Sequence, residues 1–195
     1  MNFLAHLFLT RSDESITVGN YLGDFLTNRQ VSKLPKAIQE GVTIHRLIDQ
    51  FTDEHPLVRE GAELLKPKHG RYAPVVLDVM FDFLLARNWE RFAGGLGIRN
   101  FADQTYRVLL EATPLMPEKI AERTERMVAA DWLVHYATFE GIDYTFSRMK
   151  VRSSRPKSIE NAAATMMDHL EELNERFIRF FPELINFVNE EMAKR

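Results

Sequence analysis

The 195-residue sequence predicts an all-α protein, a single-domain multi-helix fold over residues 1–195. Apolar residues recur at spacings of three and four along most of the chain, which is the period of amphipathic helices. No segment of useful length alternates apolar and polar residues as a half-buried strand does. With 45% hydrophobic residues, no internal repeat and no obvious linker, the chain is long enough to bury one core. We therefore expect about eight or nine helices.

The expected helices of the first half follow from their start and stop signals. Phe3 lies at the start of a short apolar helix, and Asp13 offers the N-cap of a second helix. Proline is favoured at the first position of a helix, so Pro35 and Pro56 indicate two further starts. Residues 74–92 are hydrophobic on nearly all sides, which is typical of a central helix.

The second half begins after a glycine-rich loop at residues 94–97. Helical periodicity there predicts helices over 101–112, 117–140, 142–150 and 158–192. Large aromatic side chains recur at helical spacing and are expected in the core. They are Trp89, Trp132, Tyr136, Phe139, Phe146 and the group from Phe177 to Phe181.

Composition limits where the protein works and what it binds. Cysteine is absent, which excludes a disulfide framework, a thiolate zinc site and a cysteine nucleophile, and makes the cytoplasm the expected location. A net charge of −3 argues against a general nucleic-acid binder. No apolar run is long enough to cross a bilayer, and the N-terminus lacks the basic region of a signal peptide. We expect neither nucleic acid nor a membrane as a partner.

Two carboxylates share one face of the expected central helix. Asp78 and Asp82 lie four residues apart, so their charges repel each other among apolar neighbours, where desolvation is costly. An arginine, a proton shared by the pair or a metal ion would offset that cost. The pair is therefore either a structural feature or part of a metal or catalytic site.

Two further pairs have the same spacing of four. His45 and Asp49 offer one imidazole and one carboxylate, which are suitable ligands for Mn²⁺, Mg²⁺, Fe²⁺ or Zn²⁺, although a hydrogen bond on a helix surface explains them equally well. Asn20 and Asp24 lie beside glycines that let a backbone or ligand approach closely, or they form a turn. His6 lies on an apolar face and is either a buried core histidine or a ligand.

Taken together, these pairs favour a hard divalent cation and chemistry at phosphorus or at a carbonyl, because they supply oxygen and nitrogen ligands only. A basic strip at residues 148–157 adds positive charge and contains no acidic residue. This strip is a solvated loop, a docking surface for an acidic partner or a phosphate-binding site. Its basic residues are Arg148, Lys150, Arg152, Arg155 and Lys157.

Several blocks of the sequence, most of them in the first half, carry a resemblance to a known family. They are residues 1–7, Gly19-Asn20, residues 23–25, His45-Arg46, Ile48-Asp49, Thr52-Asp53, Pro56, Val58-Arg59, Ala73-Pro74, residues 77–82 and Arg155-Pro156. With these blocks the chain resembles the acyl carrier protein phosphodiesterase family, also called acyl carrier protein hydrolase. Enzyme-type members carry a histidine after the second carboxylate of the central helix, where this chain has Phe83.

The resemblance implies a distorted version of the all-helical fold of HD phosphohydrolases, which hold divalent metals with histidine and aspartate. It also implies hydrolysis of the phosphodiester between 4′-phosphopantetheine and the serine of the acyl carrier protein, with Mn²⁺ or Mg²⁺ required.

On this basis we expect four ligands to converge on one divalent ion or a close pair of ions. The expected metal ligands are Asp24, His45, Asp49 and Asp78. Asp82 would be a further ligand or the base that orients the attacking water, and Arg46 would face the phosphate. His6 and Asn20 would support the ligands from behind. The basic strip would steer the small, acidic carrier protein.

Two other functions stay open from the sequence. The same ligands would suit a metal-dependent phosphohydrolase that acts on another phosphoester such as a nucleotide, because they do not encode the leaving group. The second open function is a helical module that binds a partner and has no catalytic activity.

Overall fold

The computed structural model describes residues 1–152 and 156–195, and within them it confirms the all-α class, with no strand among these residues. The α-helices are α1 (Phe3–Thr10), α2 (Glu14–Leu22), α3 (Asn28–Val31), α4 (Lys36–Glu54), α5 (Pro56–His69), α6 (Ala73–Arg87), α7 (Trp89–Phe92), α8 (Ile98–Glu111), α9 (Glu118–Ala129), α10 (Trp132–His135), α11 (Phe139–Arg152), α12 (Ala162–Asp168) and α13 (Leu170–Ala193). Short 3-10 turns lie at Gly70–Tyr72, Thr113–Leu115 and Pro156–Ile159.

Three of the long helices expected from periodicity are interrupted. The expected helix 117–140 ends at Ala129 because Asp131 adopts a left-handed conformation with φ of 50°. Asn161, with φ of 55°, likewise precedes α12 in the expected helix 158–192. Aspartate and asparagine tolerate this conformation better than most residues, and hydrophobic periodicity does not register it. The segment 74–92 is also divided, at Asn88 between α6 and α7.

Helices α2 and α4 pack with their backbones in direct contact. A Cβ atom on Gly19 would overlap the carbonyl oxygen of Ile38, and one on Gly41 would overlap that of Ile16. The absence of side chains at both glycines therefore allows the close crossing. This crossing brings the polar residues at the C-terminal end of α2 against the middle of α4.

The core surrounds α6, which is buried on nearly every side as expected. Aromatic rings from distant helices meet there: the centroids of Phe81 and Phe177 lie 5.4 Å apart, and those of Phe8 and Trp89 lie 5.1 Å apart. Two aromatic assignments to the core are wrong, because Phe139 is exposed and Trp132 is half-buried. In the part of the chain described, no helix combines the length and apolar character needed to span a bilayer.

Candidate functional site

Asn20, at the C-terminal end of α2, organises a buried polar cluster. Its amide nitrogen donates hydrogen bonds to the carbonyl oxygen of His6 (2.7 Å) and to Oγ1 of Thr10 (3.2 Å). These two bonds fix the orientation of the amide, so Oδ1 is its acceptor. That single oxygen lies 2.8 Å from Nδ1 of His6 and 3.1 Å from Nδ1 of His45. Both imidazoles therefore carry a proton on Nδ1 and present Nε2 on their other side.

The two Nε2 atoms meet the carboxylate of Asp49. Nε2 of His6 lies 3.1 Å from Oδ1 of Asp49, and Nε2 of His45 lies 3.1 Å from Oδ2. Asp24 adds a second carboxylate oxygen, 3.3 Å from Nε2 of His45. One ligand atom each of His6, His45 and Asp49 lie within 4.8 Å of one another, close enough to hold one cation. His6, expected behind the ligands, is thus part of the cluster itself.

Local sequence explains this arrangement. His45 and Asp49 are one turn apart on α4, so their side chains point to the same side. Gly23 ends α2, and a Cβ atom there would overlap the ring of His45, so the glycine makes room for this imidazole. Both imidazoles are buried, whereas the side chains of Asp24 and Asp49 are 49% and 41% exposed. The carboxylates are thus partly exposed to solvent, whereas the histidines are buried and are held in place by Asn20.

The cluster holds its two histidines in different protonation states. Burial lowers the pKa of His45, but the hydrogen bonds and charges of Asp24 and Asp49 outweigh burial and raise that pKa to about 9. His6 has a lowered pKa, mainly because burial disfavours its charged form. Burial raises the pKa of Asp49, but its hydrogen bond with His45 outweighs burial, and the pKa lies far below its usual range. At neutral pH the cluster therefore contains a charged His45, a neutral His6 and ionised carboxylates.

Asp78 and Asp82 have different surroundings despite their equal spacing. Oδ1 of Asp78 lies 3.1 Å from the α-amino group of Met1, which is itself 4.0 Å from Oδ1 of Asp49. Burial lowers the pKa of this amino group, but Asp78 and Asp49 outweigh burial and raise it. Asp78 thus borders the cluster, with a positive group between it and Asp49.

Asp82 is fully buried and faces the backbone of α1. Its two oxygens accept hydrogen bonds from the N–H groups of Leu4 (2.8 Å) and Ala5 (3.1 Å), so it caps α1 in place of the usual N-cap side chain. Burial raises the pKa of Asp82 to about 7, although these two N–H groups act against that rise. The carboxylate therefore positions the helix that carries His6.

The expected phosphate-facing Arg46 is exposed on α4, and its Nη2 donates a 2.6 Å hydrogen bond to Oδ1 of Asn28. Its guanidinium is thereby directed to α3. Phe83 is half-buried and packs against the core.

The basic strip is only partly described by the structure. Nη1 of Arg148 lies 3.4 Å from the hydroxyl of Tyr144, and Nζ of Lys150 forms a 2.9 Å ion pair with Glu160. Lys157 is exposed. Arg155 lies outside the described residues, as does the side chain of Arg152.

A cavity of about 330 Å³ lies next to the cluster, and Asp24 of the cluster is one of the residues that line it. Asp24 and Asp78 border it together with Arg123, Trp132, Tyr144 and Arg148. Arg123 and Tyr144 were not expected from the sequence, because their helix positions carry no motif. Trp132 was assigned to the core because its spacing resembles that of a core residue.

Comparisons with known proteins agree with the resemblance described above. The profile of the family described as "Acyl carrier protein phosphodiesterase" matches residues 1–184. A protein of Enterobacter sp. (strain 638) named acyl carrier protein phosphodiesterase is 30% identical over 185 residues, covering 95% of this chain and 96% of its own length. Proteins with the same name from Salmonella newport (strain SL254) and Salmonella heidelberg (strain SL476) match with the same identity and coverage. No solved structure matches the chain significantly, so the likeness to HD phosphohydrolases stays a prediction.

Proposed function

Because the chain belongs to the acyl carrier protein phosphodiesterase family, we propose that it hydrolyses holo-acyl carrier protein in the cytoplasm. It is a phosphoric diester hydrolase, as the family name indicates. The bond cleaved joins 4′-phosphopantetheine to a serine, and the products are apo-carrier protein and free 4′-phosphopantetheine. The observation that carries this proposal is the convergence of two Nε2 atoms and two carboxylates beside a cavity.

The donor atoms fit a divalent cation. Asn20 accepts the Nδ1 proton of each histidine, so a neutral His6 has its Nε2 lone pair facing Oδ1 of Asp49 at 3.1 Å. Two acceptors in contact need a proton or a cation between them. A ring N–H that donates to a side-chain oxygen is also the support that metal-binding histidines usually have. Nitrogen and oxygen donors without thiolate suit Mn²⁺ well and are compatible with Mg²⁺.

We assign the ligand set to His6, His45 and Asp49, with Asp24 and Asp78 at its open side. When bound, Mn²⁺ or Mg²⁺ supplies positive charge that stabilises phosphoryl oxygens and lowers the pKa of a water molecule. Asp24 and Asp78 border both the cluster and the cavity, so they are placed to accept hydrogen bonds from the attacking water and to take its proton. Asp82, bound to the backbone of α1, contributes by holding His6 in position.

We further propose that the carrier protein docks beside the cavity, where the basic strip begins. Arg148 borders the cavity, and Tyr144 and Val75 on the same rim are exposed large side chains. Positive residues there complement the acidic surface of the carrier protein and would speed its encounter at low salt. Because Lys150 already pairs with Glu160, we expect Arg148 to contribute more than Lys150 to docking.

Intact mass spectrometry of holo-carrier protein incubated with this protein and Mn²⁺ tests the proposed reaction. We expect apo-carrier protein and free 4′-phosphopantetheine from the wild-type protein, none from Asp49→Asn, and normal turnover from Asp103→Asn. Asp103 is a suitable control because it forms an exposed ion pair with Arg99 on α8. Release of pantetheine with the phosphate left on serine would contradict the proposed bond.

Two outcomes would favour the alternative functions. Turnover of small phosphodiesters but not of holo-carrier protein would indicate a different phosphohydrolase. No turnover of either substrate by the folded, Mn²⁺-loaded protein would favour a partner-binding module.

A further inference from the structure

A second basic surface, separate in sequence from the basic strip, lies on α3, on the turn after it and on α4. We call it the α3 surface; its members are Arg29, Lys33, Lys36 and Arg46, and all four are exposed. Residues 25–39 contain three of these basic residues and no acidic residue, although the whole chain has a net charge of −3. The positive charge here is therefore a local feature and does not follow from the composition of the chain.

The charges of the α3 surface have no carboxylate partner within the part of the chain that the structure describes. No side chain of this surface forms an ion pair there, and the guanidinium of Arg46 donates its hydrogen bond to the neutral amide of Asn28. By contrast, Arg87 on α6 forms a 2.9 Å ion pair with Glu171. Charges that no neighbour neutralises are available to an acidic partner.

Local contacts hold the backbone of this surface in place. The N–H group of Thr27 donates a 3.0 Å hydrogen bond to Oε1 of Gln30, which closes the first turn of α3. Nε2 of Gln39 donates a 2.7 Å hydrogen bond to the carbonyl oxygen of Leu34, which ties the turn after α3 to α4. The side chain of Leu34 packs against the core. The basic side chains are thus presented from a fixed backbone.

The α3 surface begins next to the cluster. Helix α3 starts four residues after Asp24, and Arg46 directly follows His45, which itself contacts Asp24 at 3.3 Å. Lys36 and Arg46 lie ten residues apart on α4, so the surface extends about 15 Å along that helix. A protein that covers the exposed side of the cluster therefore has this basic surface within reach.

The proposed reaction requires the carrier protein to come this close. Its phosphodiester is attached directly to a serine side chain, so the surface around that serine must approach whatever borders the exposed side of the cluster. The partly exposed carboxylates there are Asp24 and Asp49. The carrier protein is acidic, and these two carboxylates would repel it unless basic residues lie nearby.

From these observations we infer that the α3 surface binds the acidic face of the carrier protein around the serine that carries 4′-phosphopantetheine. The inference rests on the proposed function, which it deepens by naming a docking surface in addition to the contact at Arg148. It also gives Arg46 a role in binding the carrier protein, in place of the phosphate contact expected from the sequence. Charge pairs at the rim of an interface mainly speed the encounter of the two proteins, so the effect falls on affinity and KM.

Calorimetric titration with apo-carrier protein, which has no phosphodiester to cleave, measures docking without turnover. For the double variant Arg29→Glu/Lys33→Glu we expect at least about a tenfold loss of affinity at low salt, because two attractions become repulsions. Arg46→Gln removes one charge and should lower the affinity about twofold to fivefold. With holo-carrier protein, the KM of the double variant should rise by a similar factor while kcat changes less than about twofold.

The matched control is Arg87→Glu/Arg107→Glu, which changes the net charge by the same amount elsewhere. Arg87 lies at the C-terminal end of α6, and Arg107 pairs with Glu14 at the start of α2, the end remote from Asp24. The control should bind apo-carrier protein within about twofold of the wild type. Thermal unfolding of each variant shows whether it is folded at the titration temperature. If the double variant of the α3 surface does not fold, Arg46→Gln provides the test.

The same experiment separates this inference from the proposed function. Unchanged affinity in folded Arg29→Glu/Lys33→Glu, or an equal loss in the control, overturns docking at the α3 surface, even if the wild type cleaves holo-carrier protein. Unchanged affinity in Arg46→Gln overturns the docking role of Arg46. Where apo-carrier protein binds too weakly to measure, KM decides by the same criteria. If the wild type binds through the α3 surface but cleaves nothing, the inference stands and the proposed hydrolysis is wrong. A wild type that neither binds nor cleaves the carrier protein overturns both.

Discussion

His6 and His45 stack with 4.4 Å between their ring centroids, and one oxygen of Asn20 lies within hydrogen-bond distance of Nδ1 in both rings. Two imidazoles from different helices are thereby fixed in orientation, each with a proton on Nδ1. Burial, together with the nearby charge of His45, lowers the pKa of His6 and keeps it neutral, while the carboxylates favour a charged His45. The arrangement presents two Nε2 atoms to a shared carboxylate, which is the basis for the predictions below.

Removal of the shared acceptor should loosen both histidines. We expect Asn20→Ala to lower the affinity for Mn²⁺ by about tenfold to a hundredfold, as loss of a supporting hydrogen bond does in other metal sites. We also expect it to cost about 2 kcal/mol of unfolding free energy, because buried polar groups lose their partners. Calorimetry and urea unfolding measure the two effects. Asn20→Asp, which keeps the acceptor, should retain more Mn²⁺ affinity than Asn20→Ala, and equal affinities would argue against the role of Oδ1.

Gly23 should be required for the position of His45. A methyl group there would overlap the imidazole, so Gly23→Ala should displace the ring, reduce turnover of holo-carrier protein by at least about tenfold and destabilise the fold by about 1–3 kcal/mol. Gly97→Ala is the control, because a Cβ atom at Gly97 meets nothing within 4 Å and its φ is −65°. The control should keep normal turnover and change stability by less than about 0.5 kcal/mol. Normal turnover in Gly23→Ala would show that His45 need not occupy this position.

Asp82 should act through stability and not through direct contact with substrate. Asp82→Ala leaves the N–H groups of Leu4 and Ala5 without their acceptor, at a cost of about 2–4 kcal/mol in urea unfolding. Asp82→Asn should cost less and, at a temperature where it is folded, keep most of its turnover. Complete loss of turnover in folded Asp82→Asn would instead support the direct role considered from the sequence.

The pKa of Asp82 also predicts a pH dependence. Because burial raises its folded-state pKa to about 7, above that of an unfolded aspartate, the folded protein binds more protons than the unfolded chain between about pH 4 and pH 7. This group's contribution to stability should therefore fall as pH rises through that window. The difference in unfolding free energy between wild type and Asp82→Asn, measured at pH 5 and pH 8, should be larger at pH 5. A difference that is constant or larger at pH 8 would contradict the raised pKa.

The sequence predicted the helices, and it predicted which residues share a face of one helix. It did not predict which residues of other helices each of them contacts. Spacing of four correctly placed His45 and Asp49 on one side of α4, and it also placed Asp78 and Asp82 on one side of α6. Spacing alone could not show that Asp82 turns to the backbone of α1, because that contact depends on how two helices pack. For the same reason the sequence did not show that His6 lies within the cluster, since Asn20 and Asp49 approach it from other helices.

The cavity and the breaks between helices were missed for physical reasons as well. Left-handed residues such as Asp131 interrupt a helix without changing the hydrophobic period. Trp132 has the spacing of a core residue, but the break before α10 leaves it half-buried at the cavity. Arg123 meets rings that are distant in the chain, so no local pattern marks it.

Docking of the carrier protein should depend on Arg148 more than on Lys150. We expect Arg148→Gln to raise KM for holo-carrier protein several-fold with little change in kcat, and Lys150→Gln to change KM less than about twofold, because Lys150 is paired with Glu160. Added salt should raise KM of the wild type and have a smaller effect on Arg148→Gln. Steady-state kinetics at two salt concentrations measure both effects. Equal changes in KM for the two variants would contradict the larger contribution of Arg148 to docking.

Binding of a divalent cation by the cluster of His6, His45 and Asp49 is the property from which the proposed hydrolysis follows. Calorimetric titration of chelator-dialysed protein with Mn²⁺ at pH 7, in two buffers of different ionisation enthalpy, tests it directly. Because the pKa of His45 is about 9 and His6 is neutral, binding should release about one proton, and Asp49→Asn should bind Mn²⁺ far more weakly. Absence of binding by the wild type, or equal binding by Asp49→Asn, would show that the cluster is not a metal site.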